Sequence, residues 1–304
     1  MKIGKKKGIS ILIIVAIAII AICFYLYTTT GFLNAKNIDS LDKEHWDYEE
    51  GVIAKGEGFE INGSDRCWLL IHGYGSTPHD FSELAFRLHD SFNDSIYVPR
   101  LRGHAEVPSA LRNLSFSDWY FQIEGEFLEL QDKCSTINVV GFSMGGAIAL
   151  KLAEEYQLEN LYLISPYLIL RYKWWNGISK ESQIKIIADL FIYKKKLDVG
   201  QINDEEGLKR HISYLTSPLQ PIKNSLKDIR KLRNNLGKID NPILIQQSKN
   251  DDTIDVRSSY EIYNKVSSQD KEIRIFSSSN HVLLQDYDKE EAINNIISFE
   301  KLRR

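Results

Sequence analysis

The strongest hydrophobic pattern in the chain is an uncharged apolar run near the N-terminus, ISILIIVAIAIIAICFYLY, from Ile9 to Tyr27. As an α-helix this run would extend roughly 28 Å, close to the hydrocarbon thickness of a bilayer. Lysines precede it at positions 2, 5, 6 and 7, and positively charged flanks stay in the cytoplasm. We therefore expect residues 1–28 to form a cytoplasmic stub and a single-pass anchor in the cell membrane, with the following domain outside the cytoplasm.

A cleaved signal peptide is the alternative interpretation of this run. The apolar core of a signal peptide is usually shorter, and no small-x-small cleavage site follows the run directly. Cys23 could suggest a lipoprotein cysteine, but Ile22 stands before it where a small residue is expected. The sequence favours an uncleaved anchor.

Beyond a polar stretch at 29–50, which is expected to be a tether, apolar runs of strand length alternate with helical spacing. Residues 51–65 suggest a leading hairpin with turns at 56–58 and 62–63. Strands are expected at 67–71, 95–98, 137–140, 161–164, 243–246 and 272–276. Helices are expected at 79–90, 117–131, from the end of GFSMGG to Tyr156, near 258–266 and at 289–299. This alternation predicts an α/β domain over 51–304, with a mostly parallel sheet flanked by helices.

The alternation is interrupted between residues 167 and 235. This part of the chain contains helical, lysine-rich and aromatic segments but no convincing strand. An interruption after the fourth of these parallel strands indicates an insertion, and we expect it to form a small helical cap.

Composition limits the classes of function. The chain has 304 residues, 43% apolar and 26% charged, which is typical of a globular protein. Its net charge of -3 gives no reason to expect nucleic acid as a partner.

Three cysteines are too few for a disulfide framework. Cys67 and Cys134 both lie at the starts of expected strands, so they could be a bonded pair or two ordinary buried thiols.

The segment Gly141-Phe142-Ser143-Met144-Gly145 is a G-x-S-x-G pattern between an expected strand and an expected helix. In that context the pattern predicts a nucleophile elbow, in which a tight turn projects the serine hydroxyl above the sheet. Ser143 is therefore the candidate nucleophile.

A serine nucleophile needs a base, and the base needs an orienting acid. In this architecture the order along the chain is serine, acid, histidine. His281 follows the last expected strand, whereas His211 lies in the cap, so His281 is the candidate base. Asp251 is the first carboxylate after the strand 243–246 and is the candidate acid. Asp252 is the alternative.

Acyl transfer also needs hydrogen-bond donors for the oxyanion. The backbone N–H of Met144 follows the nucleophile, and the backbone N–H of Tyr74 lies in the turn after the strand 67–71. These two groups are the candidate oxyanion hole. His72 and His104 are interpreted as structural, because a base before the elbow would break the chain order.

Several motifs in this order resemble the α/β-hydrolase superfamily, and within it the bacterial carboxylesterases and monoacylglycerol lipases. They are LLIHGYGSTPHDF (69–81), VPRLRGHAEVP (98–108), FSDWYFQIE (116–124), VVGFSMGGAIALKLA (139–153), ILIQQSKNDDTID (243–255) and SSNHVLLQD (278–286). The resemblance implies the same triad and oxyanion donors, and a small cap at about 167–235. The apolar N-terminus departs from the group, whose members are generally soluble.

The leading hypothesis is a membrane-anchored serine hydrolase that cleaves carboxylic esters, either short or medium acyl esters or monoacylglycerol, through an acyl-enzyme on Ser143. No metal or organic cofactor is expected, and the expected partners are the ester substrate and the membrane. A serine peptidase or an acyltransferase with the same triad is the alternative, because specificity depends on the cap and loops. A non-catalytic binding module is a further alternative. The sequence does not indicate an oligomeric state.

Overall fold

The computed structural model describes residues 12–22, 24, 32–33, 38–171, 179–195 and 201–304. Its strands are β1 (Phe32–Leu33), β2 (Tyr48–Glu49), β3 (Val52–Ile53), β4 (Phe59–Ile61), β5 (Ser64–Ile71), β6 (Asp94–Val98), β7 (Thr136–Phe142), β8 (Leu161–Ile164), β9 (Tyr193–Lys195), β10 (Thr216–Pro218), β11 (Ile243–Ser248) and β12 (Lys271–Phe276). Its main helices are α1 (Ile38–His45), α2 (Ser82–Phe92), α3 (Phe116–Gln131), α4 (Met144–Glu155), α5 (Lys180–Leu190), α6 (Glu205–Arg210), α7 (Gln220–Asn235), α8 (Arg257–Lys265) and α9 (Lys289–Lys301).

The main sheet contains seven strands of the described chain, in the order β12-β11-β8-β7-β5-β6-β4. Neighbouring strands are parallel except for β4, which pairs antiparallel with β6 at the edge. Because parallel strands end at the same edge of a sheet, the loops after β5, β7, β8, β11 and β12 meet there.

Both faces of this sheet are buried, which explains why its central strands are apolar without interruption. In β5, Cys67, Leu69 and Ile71 join one hydrophobic core, while Trp68 and Leu70 join the other. Helices α3, α4 and α7 contribute to the first core, and α2 and α9 contribute to the second. The sheet is therefore a rigid layer between two packed layers of helices.

The expected strands of the alternating part are present, with bounds that differ by up to three residues at either end. The expectation of a leading hairpin over 51–65 is wrong. The short hairpin is formed by β2 and β3, and β4 pairs with β6 rather than with β5, which follows it in the chain. Gly63 lies against the start of β6, where an added Cβ would be 2.4 Å from the carbonyl oxygen of Asn93. In the sheet, β6 lies between β5 and β4.

The segment expected to be a tether is partly folded, so the interpretation of 38–50 as a tether is wrong. Helix α1 covers residues 38–45, and its Asp42 is fully buried. The helix is polar in sequence because it buries a hydrogen-bonded carboxylate rather than an apolar stripe. Of the rest of the expected tether, residues 29–31 and 34–37 lie outside the described residues.

The insertion contains strands as well as helices. Strand β9 pairs antiparallel with both β1 and β10, which gives a small second sheet, and α5, α6 and α7 lie in the same part of the chain. Strands of two or three residues leave no visible alternation, which is why the sequence did not predict them. Residues 172–178 and 196–200 of the insertion lie outside the described residues.

In the part of the chain that the structure describes, no helix combines the length and apolarity needed to cross a bilayer. Residues 12–22 and 24 are helical, and their large apolar side chains are exposed. The remainder of the expected anchor, residues 1–11, 23 and 25–28, lies outside the described residues.

Cys67 and Cys134, for which the sequence left two interpretations open, form a disulfide. The bond joins β5 to the segment just before β7. These two strands are neighbours, and they carry the oxyanion loop and the candidate nucleophile respectively.

Candidate active site

Ser143 lies on a strained turn between β7 and α4. Its backbone has φ 53° and ψ -113°, a conformation that residues other than glycine rarely adopt. An added Cβ on Gly141 would lie 2.4 Å from the carbonyl oxygen of Gly145, and one on Gly145 would lie 2.0 Å from the carbonyl oxygen of Ile71. The turn is thus tight enough to require glycine at both flanking positions, as a nucleophile elbow does.

The imidazole of His281 lies between Ser143 and Asp251. Its Nε2 is 3.0 Å from Oγ of Ser143, and its Nδ1 is 2.8 Å from Oδ2 of Asp251. A carboxylate can only accept, so Nδ1 carries the proton and Nε2 is free to accept from the serine hydroxyl. The structure thus brings together the three side chains that the sequence singled out.

Asp251 is fully buried and each of its oxygens accepts two hydrogen bonds. Oδ1 accepts from the backbone N–H groups of Thr253 and Ile254, both at 2.8 Å. Oδ2 accepts from His281 and from Nε2 of Gln247 at 3.2 Å. These donors stabilise the charged carboxylate and fix its direction.

Asp252, the alternative acid, contacts Asn280 rather than the imidazole of His281. Its side chain is exposed, and it accepts from Nδ2 of Asn280 at 3.4 Å, while its backbone N–H donates to Oδ1 of Asn280 at 2.9 Å. Asp252 therefore supports the loop next to His281 but does not contact the imidazole.

Three polar side chains that the sequence did not identify support the site. Gln247 holds Asp251, as described above. The hydroxyl of Ser165, at the end of β8, donates to the carbonyl oxygen of His281 at 2.9 Å. Asp286 accepts from the backbone N–H of Asn280 at 2.7 Å. The only sequence signal was the position of Gln247 in a strand and of Ser165 directly after one, at the edge where the other site residues lie.

The loop after β5 passes directly beside the candidate nucleophile. An added Cβ on Gly73 would lie 3.2 Å from Cβ of Ser143 and 3.0 Å from the ring of Phe142. Tyr74 follows Gly73, so its backbone belongs to the part of the loop that meets the elbow. Met144 is the first residue of α4, and the first N–H groups of a helix have no partner within that helix. Both predicted oxyanion donors thus belong to backbone that flanks Ser143.

His72 and His104 are structural, as the chain order of the triad predicts. Nε2 of His72 accepts from the backbone N–H of Leu101 at 3.1 Å, so Nδ1 donates to the carbonyl oxygen of Gly73 at 2.9 Å. Burial lowers the pKa of His72 to about 4 and the pKa of His104 well below its usual value. Both rings are therefore neutral at pH 7, and the ring nitrogens of His72 hold backbone rather than a substrate.

A family model described as "Serine aminopeptidase, S33" matches residues 64–288 of the chain. The thermostable monoacylglycerol lipase of Bacillus sp. (strain H-257) is 26% identical over 255 residues, which is 82% of this chain and 95% of that protein. The carboxylesterase of Bacillus subtilis (strain 168) is 24% identical over 247 residues, which is 80% of this chain and 96% of that protein.

A solved structure of the metagenome-derived lipolytic enzymes LipS and LipT superposes with a TM-score of 0.75 at 23% identity. The superposed region covers 83% of this chain and 99% of the chain in that structure. The superposition is evidence for the α/β-hydrolase fold. Helix α1 and the apolar N-terminus precede the residues that the family model matches.

Proposed function

Since the chain belongs to the family described as "Serine aminopeptidase, S33" and has the α/β-hydrolase fold, we propose that it cleaves carboxylic esters through an acyl-enzyme on Ser143. The single observation that carries this proposal is the aligned series of Ser143, His281 and Asp251, with contacts of 3.0 and 2.8 Å. Two relatives match most of this chain, and they are named as a monoacylglycerol lipase and a carboxylesterase. Their names support an ester rather than an amide as substrate.

In the proposed mechanism, Oγ of Ser143 attacks the ester carbonyl carbon while Nε2 of His281 takes the hydroxyl proton. The buried carboxylate of Asp251 stabilises the imidazolium that forms. The oxyanion of the tetrahedral intermediate accepts from the N–H groups of Tyr74 and Met144. The imidazolium then protonates the departing alcohol, and His281 activates a water molecule that releases the carboxylic acid and restores Ser143.

A fluorophosphonate probe tests the nucleophile, because it reacts with activated serines and not with ordinary ones. We expect the full chain to be labelled and the variant Ser143→Ala to be unlabelled. The same variant should lose at least about 10⁴-fold in kcat on p-nitrophenyl butyrate, as expected when a triad serine is removed. Equal labelling of both proteins would refute the assignment of Ser143.

An aminopeptidase is the second candidate, because the family description names that activity. The triad chemistry is the same for both substrates, so the discrimination must come from substrate binding. Rates on p-nitrophenyl esters with acyl chains of 2 to 16 carbons, measured against aminoacyl p-nitroanilides, separate the two. Higher kcat/KM on the anilides would replace the esterase proposal with the peptidase one.

We propose further that the chain is held in the cell membrane by its N-terminal run, with the catalytic domain outside the cytoplasm. The lysines before the run and the exposed apolar side chains of residues 12–22 support an anchor of this orientation. The disulfide between Cys67 and Cys134 supports an oxidising compartment.

Fractionation of cells that express the full chain tests this placement. The protein should stay with membranes through carbonate extraction and be degraded by protease added to spheroplasts. Release of a shortened protein into the medium would support the signal peptide instead.

A further inference from the structure

The oxyanion loop, residues 73–80, is held by a segment of the insertion, residues 211–218. The backbone N–H of Tyr214 donates to the carbonyl oxygen of Gly75 at 3.0 Å, and the hydroxyl of Tyr74 donates to the carbonyl oxygen of Pro218 at 2.7 Å. These bonds are made by Tyr74 and by the residue after it. The position of the Tyr74 N–H therefore depends on the position of residues 214–218.

The far end of the same loop is tied to the same segment. Nδ1 of His211 lies 2.8 Å from Oδ1 of Asp80, whose other oxygen accepts from the hydroxyl of Ser76. Burial alone would raise the pKa of Asp80, but His211 and the Ser76 hydroxyl hold this pKa below its usual value. The carboxylate is therefore charged, and it ties the end of the loop to residue 211 of the segment.

Helix α1 supports residues 213–216 from the outside. The carboxylate of Asp42 accepts from the backbone N–H of Leu215 at 2.8 Å and from the hydroxyl of Thr216 at 3.3 Å. The indole N–H of Trp46, just after the helix, donates to the carbonyl oxygen of Ser213 at 3.1 Å. Asp42 is 0% exposed, and a buried carboxylate is costly unless such donors surround it. Its position is therefore tightly determined.

The start of α1 is fixed independently of the insertion. Asp39 accepts from the backbone N–H of Ser109 at 2.9 Å and from its hydroxyl at 2.5 Å. The helix is thus attached to the hydrolase domain at one end and to residues 213–216 at the other. It also lies before residue 64, where the match to the family model begins.

We propose that α1 is a brace for the oxyanion hole and that Asp42 is a positioning residue for catalysis. Asp42 fixes residues 213–216, these fix the loop at Gly75 and Tyr74, and the loop fixes the N–H that meets the oxyanion. This inference rests on the proposed esterase function and on Tyr74 as an oxyanion donor. Asp42 acts at a distance, through hydrogen bonds, and does not contact substrate.

The test uses the full chain in detergent and the variants Asp42→Ala, Asp42→Asn and Glu44→Gln. Asp42→Ala removes the acceptor for Leu215, and we expect kcat on p-nitrophenyl acetate to fall roughly 5- to 100-fold, less than the 10²- to 10³-fold that loss of a whole oxyanion donor costs. KM should stay within about 2-fold, because the oxyanion exists only in the transition state and the tetrahedral intermediate, so a misplaced donor lowers kcat and leaves substrate binding unchanged. Asp42→Asn keeps a carbonyl acceptor and should restore most of the rate. Glu44→Gln makes the same chemical change on the exposed side of α1 and should match the wild type.

A transition-state analogue distinguishes positioning from general loss of structure. A trifluoromethyl ketone adds to the serine and places an oxyanion in the hole, so its Ki should rise in Asp42→Ala by the same factor as kcat/KM falls. Trp46→Phe removes the indole N–H that donates to Ser213 but keeps an aromatic ring, and it replaces Asp42→Ala in this test if that variant does not fold. In Trp46→Phe we likewise expect kcat to fall and the Ki of the trifluoromethyl ketone to rise.

The failure of this inference can be told apart from failure of the proposed function. A wild-type chain that neither hydrolyses esters nor reacts with fluorophosphonate would overturn the proposed function. An active wild type, with folded Asp42→Ala and Trp46→Phe variants whose kcat and Ki are unchanged, would overturn the brace alone. A lower melting temperature with unchanged kcat and Ki would assign α1 a purely structural role and would also overturn it.

Discussion

Asp251 and His281 are joined by a 2.8 Å hydrogen bond in which the carboxylate is the acceptor, and no part of Asp251 is exposed to solvent. The other donors to Asp251 are two backbone N–H groups and Gln247. Because every donor has a fixed position, the carboxylate can satisfy only one tautomer of the imidazole. That tautomer carries its proton on Nδ1 and leaves Nε2 free to accept the hydroxyl proton of Ser143.

The first prediction concerns this selection of the tautomer. In Asp251→Asn, an amide N–H₂ facing Nδ1 favours a proton on Nε2, which then cannot accept from Ser143. We expect kcat on p-nitrophenyl butyrate to fall about 10³- to 10⁴-fold, as in other triads changed this way. Asp252→Asn is the matched control and should stay within about 3-fold, because the side chain at 252 is exposed and its amide oxygen can still accept from Asn280. A large fall in kcat for Asp252→Asn together with a small one for Asp251→Asn would mean that Asp252, and not Asp251, is the acid of the triad.

The residues that carry the proposed chemistry could be predicted from sequence because each lies in a turn or loop after an expected strand of the sheet. Ser143 directly follows β7 and comes with its glycine pattern, while Asp251 and His281 lie in the loops after β11 and β12 at the same sheet edge. The supports were not predictable, since Ser165 and Gln247 are ordinary polar residues until the fold brings them to the site.

Helix α1 could not be predicted for a related reason. It is eight residues long, and its contribution depends on one buried carboxylate rather than on an apolar face. No periodic pattern distinguishes such a helix from a polar tether. The proposed role of the helix in positioning residues 213–216 rests on the contacts of Asp42 with Leu215 and Thr216, which the sequence does not indicate.

The second prediction concerns stability between pH 7 and pH 4. Burial lowers the pKa of His72 from 6.5 to about 4, so below about pH 6.5 the unfolded chain binds a proton that the folded chain does not. The free energy of unfolding should therefore decrease as the pH falls through this window, by up to about 3 kcal/mol from His72. The lowered pKa of His104 acts in the same direction.

Urea unfolding at pH 7 and pH 5 measures the loss of stability, and ¹⁵N-histidine NMR identifies the groups. The His72 ring should remain neutral at pH 5, with its proton on Nδ1. A His72 ring that becomes protonated near pH 6.5 in the folded protein would contradict the prediction.

The third prediction concerns the disulfide, which closes a loop with a sequence separation of 67 residues. The double variant Cys67→Ser/Cys134→Ser leaves the unfolded chain with more freedom. We expect the free energy of unfolding to fall by about 2–4 kcal/mol. The melting temperature should fall by roughly 4–16 °C in a domain of this size.

Thermal unfolding with and without dithiothreitol checks this expectation. The reductant should bring the wild type close to the double variant and should leave the double variant unchanged. Cys23→Ser is the matched control and should behave as the wild type does. Two reactive thiols at positions 67 and 134 in the untreated protein would contradict the bond.

The last prediction compares two glycines in helices. Gly145, in the first turn of α4, packs so closely on the end of β5 that an added Cβ would lie 2.0 Å from the carbonyl oxygen of Ile71 and 2.6 Å from that of His72. Both are backbone atoms and cannot turn away, so Gly145→Ala must push α4 off the sheet. Gly125, in α3, is exposed, and an added Cβ there meets no heavy atom of the described residues within 4 Å.

Gly145→Ala should therefore destabilise the protein by more than about 4 kcal/mol, the range of severe backbone and packing defects. It should also abolish fluorophosphonate labelling, because Ser143 and Met144 move with the start of α4. Gly125→Ala should stabilise it by roughly 1 kcal/mol, since alanine is the better helix former. Thermal unfolding and labelling of the two variants, side by side with the wild type, measure both effects. A folded, fully labelled Gly145→Ala protein would mean that the elbow has more room than these contacts allow.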